Sequence, residues 1–343
     1  MSYPKPLSQK TLDRMYKESG LSDEKIEFLR KLFDGAAALY GIISLKELWE
    51  VYREYAGKVA TLRIHRKDIT AFSSIARREI HDYYVYEIDE LYKEEPRILE
   101  ERIIVYREIM DIVNKQVFYV VENETYNKPF YVPENLLELK GHVVSEEEKE
   151  LIHVIENLRA DSPVLVDRWK KNLSRPSPHQ GKKLKDIHCL TYYDQLFLNS
   201  ITSGSENGLS KYQERQLKEF WDRKSGTTAE NIFAFLRICV FTGWLPLTRL
   251  IPMVIDDLED VGVNLNDKES EKLLSLITKF NNRSHLYTNR GWTPDELGKS
   301  SMKDYKGPIN ISFGPGIQQS IKEGNISLDE LMAKMKEMGF NVE

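Results

Sequence analysis

Between residues 22 and 106 the hydrophobic period of the chain switches once, and that switch limits the possible folds more than any other feature. Ser22 is an N-cap residue followed by Asp23 and Glu24. Ile26, Leu29, Leu32, Phe33, Ala36, Leu39 and Tyr40 then recur at three- and four-residue steps as far as Gly41, the signature of an amphipathic helix. Ser44 and Glu47 form a capping box for a second helix through Leu45, Leu48, Val51 and Tyr52 to Gly57. A third helix is predicted over 67–81, with Ile69, Phe72, Ala76 and Ile80 as its buried stripe. The tracts Tyr83–Ile88 and Arg102–Tyr106 are aromatic and β-branched, which favours strands. Three short helices followed by two looped strands are the layout of a winged helix.

A helix near 109–123 and the extended segment 128–133, fixed by Pro129 and Pro133, would close this domain at about residue 142. Residues 1–21, polar and holding two prolines, read as a flexible arm. Ser145 and Glu148 form another capping box, opening a helix to about 159. Helical patterns then fill 210–223, 228–242, 246–261 and 267–288. The expected fold class is therefore α+β, predominantly α: a winged-helix-like domain over 22–142 followed by an all-helical domain over 143–297. Residues 298–343 form a linker and a last amphipathic helix.

Charge narrows the function classes. With 49 Lys and Arg against 54 Asp and Glu, the formal net charge is −5, which excludes a globally basic nucleic-acid coat. Any nucleic-acid surface must be local, and two segments qualify. The window 63–81 holds five basic residues against Asp68 and Glu79. Thr70, Ser74, Arg77 and His81 recur there at helical spacing, as if on one face of the third helix. Such a face, with Arg78 beside it, is expected to enter a major groove while Arg63, Arg66 and Lys67 hold phosphates, unless it is an ordinary solvated face or a protein-docking surface. The stretch 168–188 carries seven basic residues, among them Lys170, Lys171, Arg175, Lys182 and Lys183, against Asp186 alone. It reads as a phosphate-tracking loop or as a basic connection inside the helical domain.

Catalytic and metal-binding motifs are absent from the sequence: no His-Glu-x-x-His, no phosphate-cradling loop, no nucleophile elbow. Cys189 and Cys239 lie far apart and form no Cys-x-x-Cys pair, so no cysteine zinc site or disulfide framework can be argued. The acidic turn Asp256, Asp257, Glu259 and Asp260 lacks the alternation of a calcium loop; a metal-dependent enzyme built on these carboxylates is a third reading. No cofactor is expected. With no signal-like N-terminus and no long uncharged apolar stretch, the chain reads as cytoplasmic with no membrane partner.

Three short motifs carry a resemblance: Leu39-Tyr40-Gly41-Ile42-Ile43, Lys128-Pro129-Phe130-Tyr131-Val132-Pro133, and Asn281 to Leu297 with its Gly291-Trp292-Thr293-Pro294-Asp295-Glu296-Leu297 ending. In these the chain resembles, loosely over residues 22–297, a family of Firmicutes proteins with winged-helix-like and helical domains, related to SEC-C-motif-containing proteins. The resemblance implies a bacterial cytoplasmic protein and no particular activity. No cysteine follows Cys239, so the SEC-C metal tail is not carried over. The preferred expectation is a non-catalytic nucleic-acid-binding regulator or adaptor, with double-stranded DNA as the first partner to test. The alternative is a protein-interaction module, in a mobile-element or defence setting, with the winged helix as scaffold. A ligand site at Asn282, His285 and Tyr287 is weighed against simple packing, and packing is preferred.

Overall fold

The computed structural model describes residues 3–59, 61–92, 98–112, 116–125, 128–141, 144–161, 164–165, 174–175, 179–188 and 226–304, with isolated positions between 198 and 218 and at 327. The chain is mostly helical, with a small three-stranded antiparallel sheet in its N-terminal part. Residues 1–294 form one compact unit and 295–343 a second.

The first unit opens with α1 (Gln9–Ser19) where the sequence suggested a loose arm. Leu12 is its one buried residue, too little apolar periodicity to be visible in sequence. Helix α2 (Asp23–Tyr40) starts at Ser22, whose side chain accepts from the Lys25 N–H, and its apolar face is the centre of the core. Strand β1 (Ile42–Ser44) leads directly into α3 (Leu45–Lys58) through the Ser44–Glu47 capping box. Helix α4 (Arg66–Ala76), strand β2 (Tyr83–Tyr86) and strand β3 (Ile103–Tyr106) follow. The sheet order is β1-β3-β2, with Ile43 opposite Ile104 and Val85 opposite the same residue. As the middle strand, β3 is buried at all four positions, whereas β2 alternates, burying Tyr83 and Val85.

Helix α4 ends five residues before the expected limit. The N–H groups of Arg78 and Glu79 turn back to Ile75 and Ala76, three residues behind, which closes the helix in a tight turn. Ile80, expected in the buried stripe, is 75% exposed in that turn.

A short helix, α5 (Ile88–Leu91), precedes β3, and α6 (Arg107–Ile112) and α7 (Gln116–Thr125) fall where a helix was expected near 109–123. The helical part contains α8 (Glu146–Asn157), a short β4–β5 pair (Val164–Leu165 with Ser174–Arg175), α9 (Thr228–Thr242), α10 (Leu247–Asp260) and α11 (Asp267–Arg283). Capping boxes at Ser145, Thr227 and Asn266 start α8, α9 and α11. Buried apolar residues from Phe28 to Tyr287 belong to one continuous cluster, so the core crosses the boundary expected near residue 142. A last described helix, α12, covers Pro294–Asp304. Among the described residues no helix is long and apolar enough to cross a membrane. The amphipathic helix expected after Ser327 lies outside the described residues.

Candidate functional site

The surface that the sequence points to is the outward side of α4. Its first turn is set by Asp68, whose carboxylate accepts the His65 backbone N–H at 2.9 Å and pairs with Lys25 at 2.7 Å. Burial raises the Asp68 carboxyl, but the Lys25 and His65 contacts outweigh it and hold it below its ordinary value. One of the two acids in the basic window is thus neutralised inside the fold.

Arg63, Arg66 and Lys67 are exposed at this end of α4. The Arg66 guanidinium lies 5.7 Å from the Trp49 ring centre and 3.4 Å from a Glu50 carboxylate oxygen. Both members of that ion pair are solvent-exposed, so the pair contributes little to stability.

The four-residue polar stripe does not exist as a single face. Thr70 and Ser74 do look outward, half-exposed, but their hydroxyls are used locally. Thr70 Oγ1 donates to the Arg66 carbonyl at 3.0 Å, and Ser74 Oγ donates to the Thr70 carbonyl at 3.1 Å. Arg77 turns inward. Its side chain is only 10% exposed and its guanidinium pairs with Glu87 and, at 2.8 Å, with both carboxylate oxygens of Glu90. Arg102, at the foot of β3, completes the cluster by donating to Ser74 Oγ at 2.6 Å, Ser73 Oγ at 3.0 Å and Glu87 at 3.0 Å. Burial lowers the Arg102 guanidinium from its ordinary value and Glu87 offsets part of that. Two nitrogens of this cluster, Arg77 Nε and Arg102 Nε, are buried without a partner among the described residues.

His81 also leaves the expected stripe. Helix α4 has already ended, and the ring stacks on Tyr83 with centres 4.6 Å apart, Nε2 lying 2.9 Å from Glu79. Glu79 in turn accepts the Tyr16 hydroxyl at 2.8 Å and faces Arg30 at 3.5 Å, joining α1 to the turn after α4. Arg78 lies past the helix end, half-exposed, with its carbonyl accepting the Leu7 N–H at 2.9 Å.

What α4 does present is one wall of an open groove of about 690 Å³, formed by Arg66, Lys67, Thr70, Ala71 and Ser74. The opposite wall is the β2–β3 connection, through Ile98, Leu99 and Glu100. Ile98 is 53% exposed and Leu99 50%. In sequence this connection reads as a loop between the two strands, and its apolar pair is not singled out. The available signal was Ile98-Leu99 standing alone between Glu95 and Glu100, with no helical or strand period to bury it.

The second basic segment is only partly described. Lys170 and Lys171 lie outside the described residues, as does the side chain of Arg175, whose backbone is in β5. Lys182 is exposed, and its carbonyl accepts the Ala160 N–H at 3.0 Å. Lys183 Nζ donates to Asn157 Oδ1 at 2.7 Å, and Leu184 and Ile187 are buried, so 179–188 is fastened to the end of α8.

In the acidic turn Asp257 is buried in α10, and among the described residues no group of three or more His, Cys, Asp or Glu is placed to hold an ion. Cys239 is buried, and burial drives its thiol far above the ordinary value, so it is a core residue and not a nucleophile. Comparison with protein-family models, curated proteins and solved structures finds no match.

Proposed function

We propose that this chain is a non-catalytic docking protein whose N-terminal part is a winged-helix module, and that the groove between α4 and the β2–β3 connection receives a polypeptide segment. From α2 onward, the element order helix, strand, helix, helix, strand and, after the short α5, strand, with sheet order β1-β3-β2, supports the winged-helix reading. The observation that carries the docking reading is the pairing of two half-exposed aliphatic side chains, Ile98 and Leu99, with a helix face whose hydroxyl protons are already donated to the backbone. A surface that reads base edges needs unspent donors and acceptors. Covering Ile98 and Leu99 with an apolar residue of a partner contributes about 1–2 kcal/mol for each.

Charge supports the same reading. Residues 87–101 contain seven acids against Lys93 and Arg97; with Glu87 and Glu90 paired to Arg77 and Arg102, the five others still leave the connection that would lie along a duplex acidic. Arg63, Arg66 and Lys67 remain as exposed cations, with Glu50 beside Arg66 and Glu100 lining the groove with Arg66 and Lys67. Specific DNA-binding proteins commonly engage roughly 6–10 phosphates. The groove instead suits a segment with an apolar anchor and an acidic end directed at Arg63, Arg66 and Lys67.

The nucleic-acid reading keeps one specific support, the clustering of those three cations at one end of α4 with Asp68 neutralised by Lys25. Titrating a labelled mixed-sequence duplex, at low and near-physiological salt, separates the two readings. The docking reading expects weak binding that is unchanged in Ile98→Glu. Tight, steeply salt-dependent binding that is lost in Lys67→Glu would replace it with the nucleic-acid reading.

A further inference from the structure

Strand β2 is an outer strand of the sheet, and the first residues of the chain lie along its outer side. The Arg107 N–H donates to the Asp82 carbonyl at 2.8 Å, in register with the pairs from Tyr83–Tyr106 to Tyr86–Ile103. Hydrogen-bonded and non-hydrogen-bonded pairs alternate along an antiparallel ladder. Tyr84 and Tyr86 therefore bond to β3, while the backbone groups of Tyr83 and Val85 point away from it. The outward Val85 N–H donates to the Tyr3 hydroxyl oxygen at 3.1 Å. The Tyr3 ring lies edge-on across Tyr84 and Tyr86, its centre 4.8 Å from the first and 5.0 Å from the second.

We propose that residues 3–7 are a guard on this edge: in place, they keep a second copy of the chain from pairing its own β2 against β2. The proposal does not depend on the groove on α4. The composition of the arm supports it, since residues 3–7 read Tyr-Pro-Lys-Pro-Leu. Pro4 and Pro6 have no N–H, so the arm covers the edge without becoming a regular strand that a further strand could join. Lys5, exposed between them, sets a charge on the outer side. Proline and lysine are among the residues that keep sheet edges from associating. The arm is also removable. It is fastened by the Leu7 N–H on the Arg78 carbonyl at 2.9 Å, the Tyr16 hydroxyl on Glu79 at 2.8 Å and the burial of Leu12. A segment that buries so little apolar surface is among the first parts of a fold to open.

A second copy fits the opened edge because the edge is complementary to itself. Two β2 strands running antiparallel about Tyr84 set Tyr83 of one opposite Val85 of the other, so the outward backbone groups of each strand meet those of its twin. The register also keeps the faces matched. Tyr83 and Val85, buried in each copy, stay on one side of the joined sheet, and Tyr84 and Tyr86 stay on the other. At the pivot an uncharged aromatic ring faces its own twin, which is a favourable cross-strand pair.

The test uses the full chain, with sedimentation velocity over a range of concentrations and hydrogen exchange at the Val85 amide. Tyr3→Ala removes both the accepting hydroxyl and the ring. It should self-associate about tenfold more tightly than the parent, or better, with its thermal midpoint near the parent's. At high dilution its Val85 amide should exchange about fivefold faster than the parent's, as the loss of one hydrogen bond requires, and protection should return as concentration rises. Tyr3→Phe keeps the ring and should show the faster exchange with a smaller gain in association. Adding Tyr84→Lys to Tyr3→Ala sets two lysines opposite each other at the pivot and should return association to the parent's level. Tyr3→Ala that associates no more tightly than the parent overturns the proposal. So does association that persists with Tyr84→Lys, or association that leaves the Val85 amide as fast at high concentration as at low.

Discussion

Arg77→Glu is the substitution on which exposed and buried readings of α4 differ most. On an exposed recognition face it would leave the fold intact. In the structure the Arg77 guanidinium is enclosed between Glu87 and Glu90, and Glu90 receives two bonds of 2.8 Å from it. Removing one member of such a buried pair costs about 3–5 kcal/mol, because the remaining charge stays desolvated. Glu87 keeps its Arg102 bond at 3.0 Å, which places the neutral Arg77→Met variant at the lower end of that range. Arg77→Glu sets a third carboxylate beside two others, so its cost exceeds about 5 kcal/mol, comparable with the whole stability of many domains.

The assay is urea unfolding followed by circular dichroism, with Lys67→Glu as the exposed control expected within about 0.5 kcal/mol of the parent. Arg77→Met should lower the midpoint clearly. The double variant Arg77→Met, Glu90→Gln should recover part of the loss, since removing both partners leaves fewer unpaired charges. An Arg77→Glu protein with the parent's midpoint and slope would refute the inward placement of this side chain.

Two further expectations rest on local geometry. Gly291 has φ +82° and no room for a Cβ, with Leu39 at 2.9 Å and Tyr40 at 3.1 Å, so Gly291→Ala should cost at least about 2 kcal/mol in the same unfolding assay. Burial raises the Glu79 carboxyl, but its bonds from His81 and Tyr16 outweigh that and hold it below the ordinary value. A depressed carboxyl contributes stability above its unfolded value and loses it as pH falls through the folded one. Acidification below the usual carboxylate range should therefore release the Tyr16 contact, and Glu79→Gln should flatten that acid limb of the stability profile.

Much of the fold was legible because its signals are local. Ser44 with Glu47 and Ser145 with Glu148 mark helix starts that the structure reproduces, and the aromatic and β-branched tracts at 83–86 and 103–106 are strands. The candidate surface was legible only in part. Spacing placed Thr70, Ser74, Arg77 and His81 on one face on the assumption that the helix continued to 81. The turn after Ala76 swings Arg77 toward Glu87 and Glu90 and stacks His81 on Tyr83. Those partners are 10 to 13 residues away for Arg77, and no helical period can report them. The apolar wall at Ile98 and Leu99 was hidden for the opposite reason: a pair of exposed aliphatic residues in an acidic connection has no periodicity at all. Helix α1 likewise buries Leu12 alone and is held from outside its own sequence by Glu79, which accepts the Tyr16 hydroxyl.

The docking of a polypeptide in the α4 groove is tested most directly by placing a photo-crosslinking residue at position 99 and irradiating the full chain in a lysate of its native host, with and without nuclease. The account predicts an adduct that survives nuclease and is lost in Ile98→Glu. Its attached segment, read by mass spectrometry, should combine an apolar residue with acidic neighbours, and the same segment made synthetically should bind the parent protein and not Ile98→Glu. An adduct that nuclease removes, or one that forms equally well with Ile98→Glu, would contradict it.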